Sequence, residues 1–119
     1  KFISESIMLD NKNNVVEGTM SNIFGIKNNN FIVPEIKFAG IHGIMRKIII
    51  DILKRKKEKY LIKEINIQSF LKMDEIFICN SIFGVWPVIK IKNKKFLFGK
   101  KTKHIIELVN IERNKQNSF

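Results

Sequence analysis

From Ile41 the apolar positions fall at 41, 44, 45, 48, 49, 52 and 53, the i, i+3, i+4 spacing of one helix face. The stripe predicts an amphipathic helix that opens beside Gly40 and Gly43 and finishes in the charged run Lys54 to Lys59. On either side of it the period shortens. Ser6 to Asp10 and Val15 to Ile26, separated by Asn11, Asn13 and Asn14, predict a hairpin of two strands. A second polar triplet, Asn28 to Asn30, leads into Phe31, Ile32 and Val33. Pro34 would end that segment as a short edge or terminal strand, because proline cannot donate to a ladder. Downstream, Tyr60 to Ile67 alternates in part, and Ser69 offers an N-cap for a short helix before Asp74. Glu75 to Asn80 has the dense apolar pattern of a strand buried on both faces. Val85 to Ile91 and Lys95 to Phe98 predict a hairpin around Asn93. Thr102 would cap a last helix carrying Ile105, Ile106, Leu108 and Val109, and Arg113 to Phe119 would fray. Without a repeat or a linker, the pattern predicts one unit of mixed α/β class.

Composition narrows the partners. The chain of 119 residues is 45% apolar and 10% aromatic, enough for the core of one domain and too apolar for a disordered tail. The longest uncharged run, Ile76 to Ile89, has 14 residues and contains Asn80, Ser81, Gly84 and Pro87. A membrane span needs roughly 20 apolar residues, so no membrane partner is expected. Cys79 is the single cysteine, which excludes a disulfide framework and makes a reducing cytoplasm the expected compartment. The formal charge of +11 would ordinarily suggest nucleic acid. Of the 22 basic residues, however, 19 are Lys and three are Arg, and Lys, Ile and Asn together fill 55 of 119 positions. All three have A- and T-rich codons, so base composition accounts for the charge. A nucleic-acid-binding module through Lys54 to Lys59 and Lys92 to Lys103 is the alternative from a different class.

Few residues can carry chemistry. His42 and His104 are the only histidines and Cys79 the only thiol, so no zinc site of several Cys and His ligands can form and no metal is expected. Cys79 lies in an apolar run and reads as a core residue. Gly40-Ile41-His42-Gly43 is too short for a dinucleotide fingerprint. A Gly-flanked turn that opens a helix does present unpaired N–H groups to an anion such as phosphate, although the same glycines also suit a tight turn alone. Glu17 is the other odd residue, an acid among Val15, Val16, Gly18 and Thr19. It is either an outward-facing strand acid or a carboxylate with work to do.

These features recur in a known order. Ser6 to Asp10 and Val15-Val16-Glu17-Gly18-Thr19-Met20-Ser21-Asn22-Ile23-Phe24 resemble the middle of the class IV aminotransferases, the fold type IV pyridoxal-phosphate enzymes. Gly40-Ile41-His42-Gly43-Ile44-Met45-Arg46 resembles the second motif of that family and Asp74 to Ser81 the third, over Glu5 to Ile91 in all. Met45, and the continuation Asn80 to Val88, are most similar to the aminodeoxychorismate lyase branch. The resemblance implies the C-terminal, cofactor-binding domain of that fold over residues 1–119, pyridoxal 5′-phosphate as cofactor and a cytoplasmic homodimer. It further implies conversion of 4-amino-4-deoxychorismate to p-aminobenzoate and pyruvate in folate biosynthesis. Glu17 would hold the proton of the cofactor's pyridine nitrogen, and the N–H groups of Ile44 and Met45 after Gly43 would bind its phosphate. Asn80 and Ser81 would add donors, Ile41 would pack on the ring, and Ser21 and Asn22 would stand behind these groups. Arg46 would be either a phosphate neighbour or a solvated residue of the first helical turn. The N-terminal domain and the lysine that carries the cofactor in this family would lie before Lys1. This chain would then supply no catalytic residue and be inactive alone. A branched-chain or D-amino-acid aminotransferase of the same fold is the nearest alternative, and an inactive remnant a further one.

Overall fold

The structure, a computed structural model, describes residues 7–9, 15–18, 22–35 and 43–116. Strands β1 (Ile7–Leu9) and β2 (Val15–Gly18) form a small antiparallel ladder with Met8 opposite Glu17. The main sheet has five strands in the order β5 (Tyr60–Lys63), β4 (Asn30–Pro34), β3 (Asn22–Lys27), β6 (Glu75–Asn80), β7 (Gly84–Val88). Between β4 and β5, which run parallel, the chain crosses over through α1 (Ile44–Arg55); the other pairs are antiparallel. A four-residue helix, α2 (Ile67–Phe70), precedes β6, a short hairpin β8 (Lys90–Ile91) and β9 (Lys94–Lys95) follows β7, and α3 (Lys100–Gln116) closes the described chain. The mixed α/β class is therefore as expected.

Side-chain alternation explains the layering. On one face of the sheet Phe24, Phe31, Val33, Phe77 and Cys79 meet Met45, Ile49 and Leu53 of α1 and Ile105 and Val109 of α3. On the other, Ile23, Ile32, Ile76, Ile78 and Val88 pack against Ile65, Phe70, Met73 and Phe96. Because both faces are covered, β3 and β6 read as nearly continuous apolar runs. Phe24 and Phe77, opposite each other in register, stack with ring centroids 4.9 Å apart.

Several local expectations change. The run Val15 to Ile26 is two strands, β2 and β3, not one. Strand β4 is interior rather than an edge, flanked by β3 and β5; Pro34 is tolerated because it is the last residue of the strand. The Asn triplet makes a two-residue turn with Asn28 and Asn29 at φ of 52° and 64°, the primed-turn backbone that Asn accepts better than most residues. The cap of α2 is Asn66, whose Oδ1 accepts from the Ser69 N–H at 2.8 Å, so Ser69 is the capped residue and not the cap. Thr102 does not cap α3: it lies in the first turn, buried, with its hydroxyl unpaired. Helix α3 also continues through Arg113 to Gln116 where fraying was expected.

Candidate functional site

One end of the sheet collects the start of β3, the ends of β4, β5 and β6 and the start of β7. The N-terminus of α1 stands at that end. Gly43 precedes the helix in an extended conformation, with φ of −71° and ψ of 141°. Its need for glycine comes from close approach, since a Cβ there would stand 2.0 Å from Asn22 Oδ1. Asn22 is buried at the first position of β3, directly opposite Cys79 on β6 and so one residue from Asn80. The fold therefore brings Asn22 against Gly43, just ahead of the Ile44 and Met45 amides, and places Asn80 at the end of β6, at the same end of the sheet. Glu17 lies on β2, five residues before β3 begins its place in the sheet at Asn22. Ser21 and Ile41 fall outside the described residues.

Among the described residues no side chain caps α1, and its first turn contains no acid. The first helical hydrogen bond runs from Lys47 N–H to Gly43 O at 3.3 Å, which leaves the amides of Ile44 and Met45 at the positive end of the helix dipole. Met45 is buried, whereas Ile44 is 69% exposed. Arg46 is not the solvated first-turn residue that was one of its two expectations. It is only 9% exposed, and its Nη2 donates to Pro34 O at 3.2 Å, tying the first turn of α1 to the end of β4. Burial holds its pKa below the ordinary arginine value, opposed by the neighbouring Cys79. Burial also pushes the Cys79 thiol up to about 12, against the pull of Arg46, so the thiol is neutral and serves as core.

Asn80 and Ser81 stand at the turn from β6 to β7, but the oxygen of Asn80 is engaged locally. Its Oδ1 accepts from the N–H groups of Ile82 and Phe83, both at 3.0 Å. The turn is also held from outside. Arg113 of α3 donates from Nη2 to Ile82 O at 3.1 Å and to Ser81 O at 3.4 Å. Sequence reasoning missed Arg113, because nothing local marks a residue near the C-terminus as a partner of a turn some 30 positions earlier. Among the described residues no group of three or more His, Cys, Asp or Glu could hold a metal, and no described helix is long and apolar enough to cross a membrane.

Comparison with known proteins bears on this arrangement. The family model described as amino-transferase class IV matches residues 1–91. An aminodeoxychorismate lyase of Vibrio harveyi is 30% identical over 106 residues, covering 86% of this chain and 39% of the relative. A branched-chain aminotransferase of Thermoproteus uzoniensis, solved with norvaline, superposes with a TM-score of 0.85 at 28% identity, over 89% of this chain and 36% of its own. An aminotransferase of Brucella abortus bound to pyridoxal phosphate gives 0.84 at 26% identity, over 87% and 37%. The chain thus spans about two fifths of the length of these proteins. Pyridoxal phosphate is the cofactor of this family.

Proposed function

The chain belongs to the class IV aminotransferases, and from that premise we propose that it forms the phosphate-binding half of a pyridoxal-phosphate site in an aminodeoxychorismate lyase. The observation that carries the proposal is the N-terminus of α1, which among the described residues has neither capping side chain nor acid in its first turn and stands beside Asn22, at the end of the sheet where β6 finishes in Asn80. A phosphate dianion is the group such a terminus accepts, through amide donors already aligned by the helix. The donor set fits the cofactor.

When bound, the cofactor withdraws electrons from the substrate's α-carbon. The residues of this chain bind and orient it. The Ile44 and Met45 amides receive the phosphate, the Asn80 amide and Ser81 add donors from the turn after β6, and Gly43 leaves the approach open. Arg46 contributes positive charge from behind the first turn while fixing that turn to β4. Glu17, on β2, is the family's candidate for holding a proton on the pyridine nitrogen, which keeps the ring cationic. Asn22 opens β3 at this end of the sheet; Ser21 would stand with it behind the cofactor, and Ile41 would lie along the ring. In this reading the protein at its natural length is a cytoplasmic homodimer acting on 4-amino-4-deoxychorismate, with the cofactor-bearing lysine upstream of Lys1.

Lyase and branched-chain aminotransferase relatives both match the chain, and they part on the fate of the amine. The test is an assay of the natural-length protein with pyridoxal phosphate. Release of p-aminobenzoate and pyruvate from 4-amino-4-deoxychorismate supports the lyase, and transfer of an amino group from a branched-chain amino acid to 2-oxoglutarate supports the aminotransferase. Neither product, with no cofactor bound, would end the proposal.

A further inference from the structure

Helix α3 lies outside the residues that the family model matches, yet it grips both ends of the strand that leads into the proposed site. At the start of β6, Glu75 is buried and its Oε1 accepts from the Thr102 N–H at 2.9 Å, in the first turn of α3. At the far end, Arg113 donates to the carbonyls of Ser81 and Ile82 in the turn that follows β6. The two spans match. Thr102 to Arg113 rises about 16 Å along a helix, and Glu75 to Asn80 extends about 17 Å along a strand. Two ion pairs fix the helix laterally: Lys101 with Glu58 at 2.7 Å, and Arg55 of α1 with Glu112.

The turn itself is built to admit the arginine. Gly84, the first residue of β7, has φ of +80°, in the left-handed region, and a Cβ there would stand 2.6 Å from Arg113 Nη1. Asn80 Oδ1 organises the inside of the turn by accepting from Ile82 and Phe83, while Arg113 takes two outward carbonyls. The orientation of the Asn80 amide and of Ser81 is thus set jointly by a side chain within the turn and by one on a helix that the family pattern does not include.

We infer that Arg113 is a positioning residue for cofactor phosphate: by holding the Ser81–Ile82 carbonyls it fixes the Asn80–Ser81 side of the phosphate cup. The inference rests on the proposed pyridoxal-phosphate site. Its signature is dependence on the phosphate. In the natural-length protein, Arg113→Ala weakens the affinity for pyridoxal phosphate by about fivefold, the scale of one ordinary net hydrogen bond, and leaves the affinity for pyridoxal, which has no phosphate, unchanged. Arg113→Lys, which keeps the charge and one donor, restores part of the loss. Gly84→Ala reproduces Arg113→Ala, because it displaces the guanidinium without removing it. Glu112→Ala, which loosens α3 without touching the turn, changes both affinities by less than about twofold. If the unsubstituted protein fails to prefer pyridoxal phosphate over pyridoxal, the cofactor site is overturned. If it shows that preference and Arg113→Ala keeps it in full, or loses both affinities equally, the positioning role is overturned and the site stands.

Discussion

Helices α1 and α3 begin at opposite ends of the same sheet, and their first turns are served differently. The protein provides α3 with its own anion: Glu75, buried at the head of β6, accepts from the Thr102 N–H, and a Cβ at Gly99 would stand 2.4 Å from the Glu75 carboxyl carbon. Among the described residues helix α1 receives no such group, with no side-chain cap, no acid in its first turn and a buried arginine there. Both ends carry the same positive dipole and the same orphan amides. Where the terminus is structural, a side chain satisfies it from within. At α1, beside Asn22 and the buried Arg46 guanidinium, the proposed function assigns that part to the phosphate of a ligand.

The largest expected effect breaks the internally satisfied end. Glu75→Ala leaves the Thr102 N–H without its acceptor in a dry pocket and removes the charge opposite the α3 dipole, so unfolding by urea should show a loss of about 2–3 kcal/mol. Giving α1 what α3 already has sharpens the contrast. Ile44→Asp places an acid at the exposed first position of α1; it should raise stability by about 0.5 kcal/mol while weakening pyridoxal phosphate binding at least about tenfold through repulsion of the phosphate. A smaller effect comes from Arg46→Met, which fills similar space without the charge. Its cost in cofactor affinity should be about fivefold, because the first turn loses its tie to Pro34 O. Loss of stability should be about 1 kcal/mol, since Pro34 O loses a buried donor.

The least visible effect at neutral pH concerns Cys79. In the fold its thiol titrates at about 12 rather than near 9.0. Above pH 9 the unfolded chain therefore releases a proton that the folded chain keeps, and this group's contribution to stability falls as pH rises from about 9 toward about 12. Below that window the contribution is complete and constant. The difference in unfolding free energy between the parent and Cys79→Ala should therefore be flat near neutrality and shrink at alkaline pH. The thiol should also resist disulfide reagents until the protein unfolds.

Much of the architecture is legible because it rests on local periodicity. The α1 stripe, the apolar β6 segment and the Asn turn all follow from spacing and backbone tolerance. Pairing order is not local, so Pro34 predicted an edge where β4 is interior; only the crossover through α1 places β5 outside it. The caps were misjudged for the same reason. Thr102 has the chemistry of a cap, but the carboxylate that does the work stands 27 residues earlier, on β6. At the candidate site, Gly43 and the amides after it are legible as a turn before a helix. The burial of Arg46, the contact of Asn22 with Gly43 and the reach of Arg113 exist only once the strands are assembled.

The central claim is that the open terminus of α1 receives the cofactor phosphate. It is tested most directly by following backbone amide resonances of the natural-length protein during titration with pyridoxal phosphate. The account predicts that the Ile44 and Met45 amide protons move downfield with saturation while the Thr102 amide, already bonded to Glu75, stays in place. Saturable cofactor binding that leaves Ile44 and Met45 unmoved would contradict it.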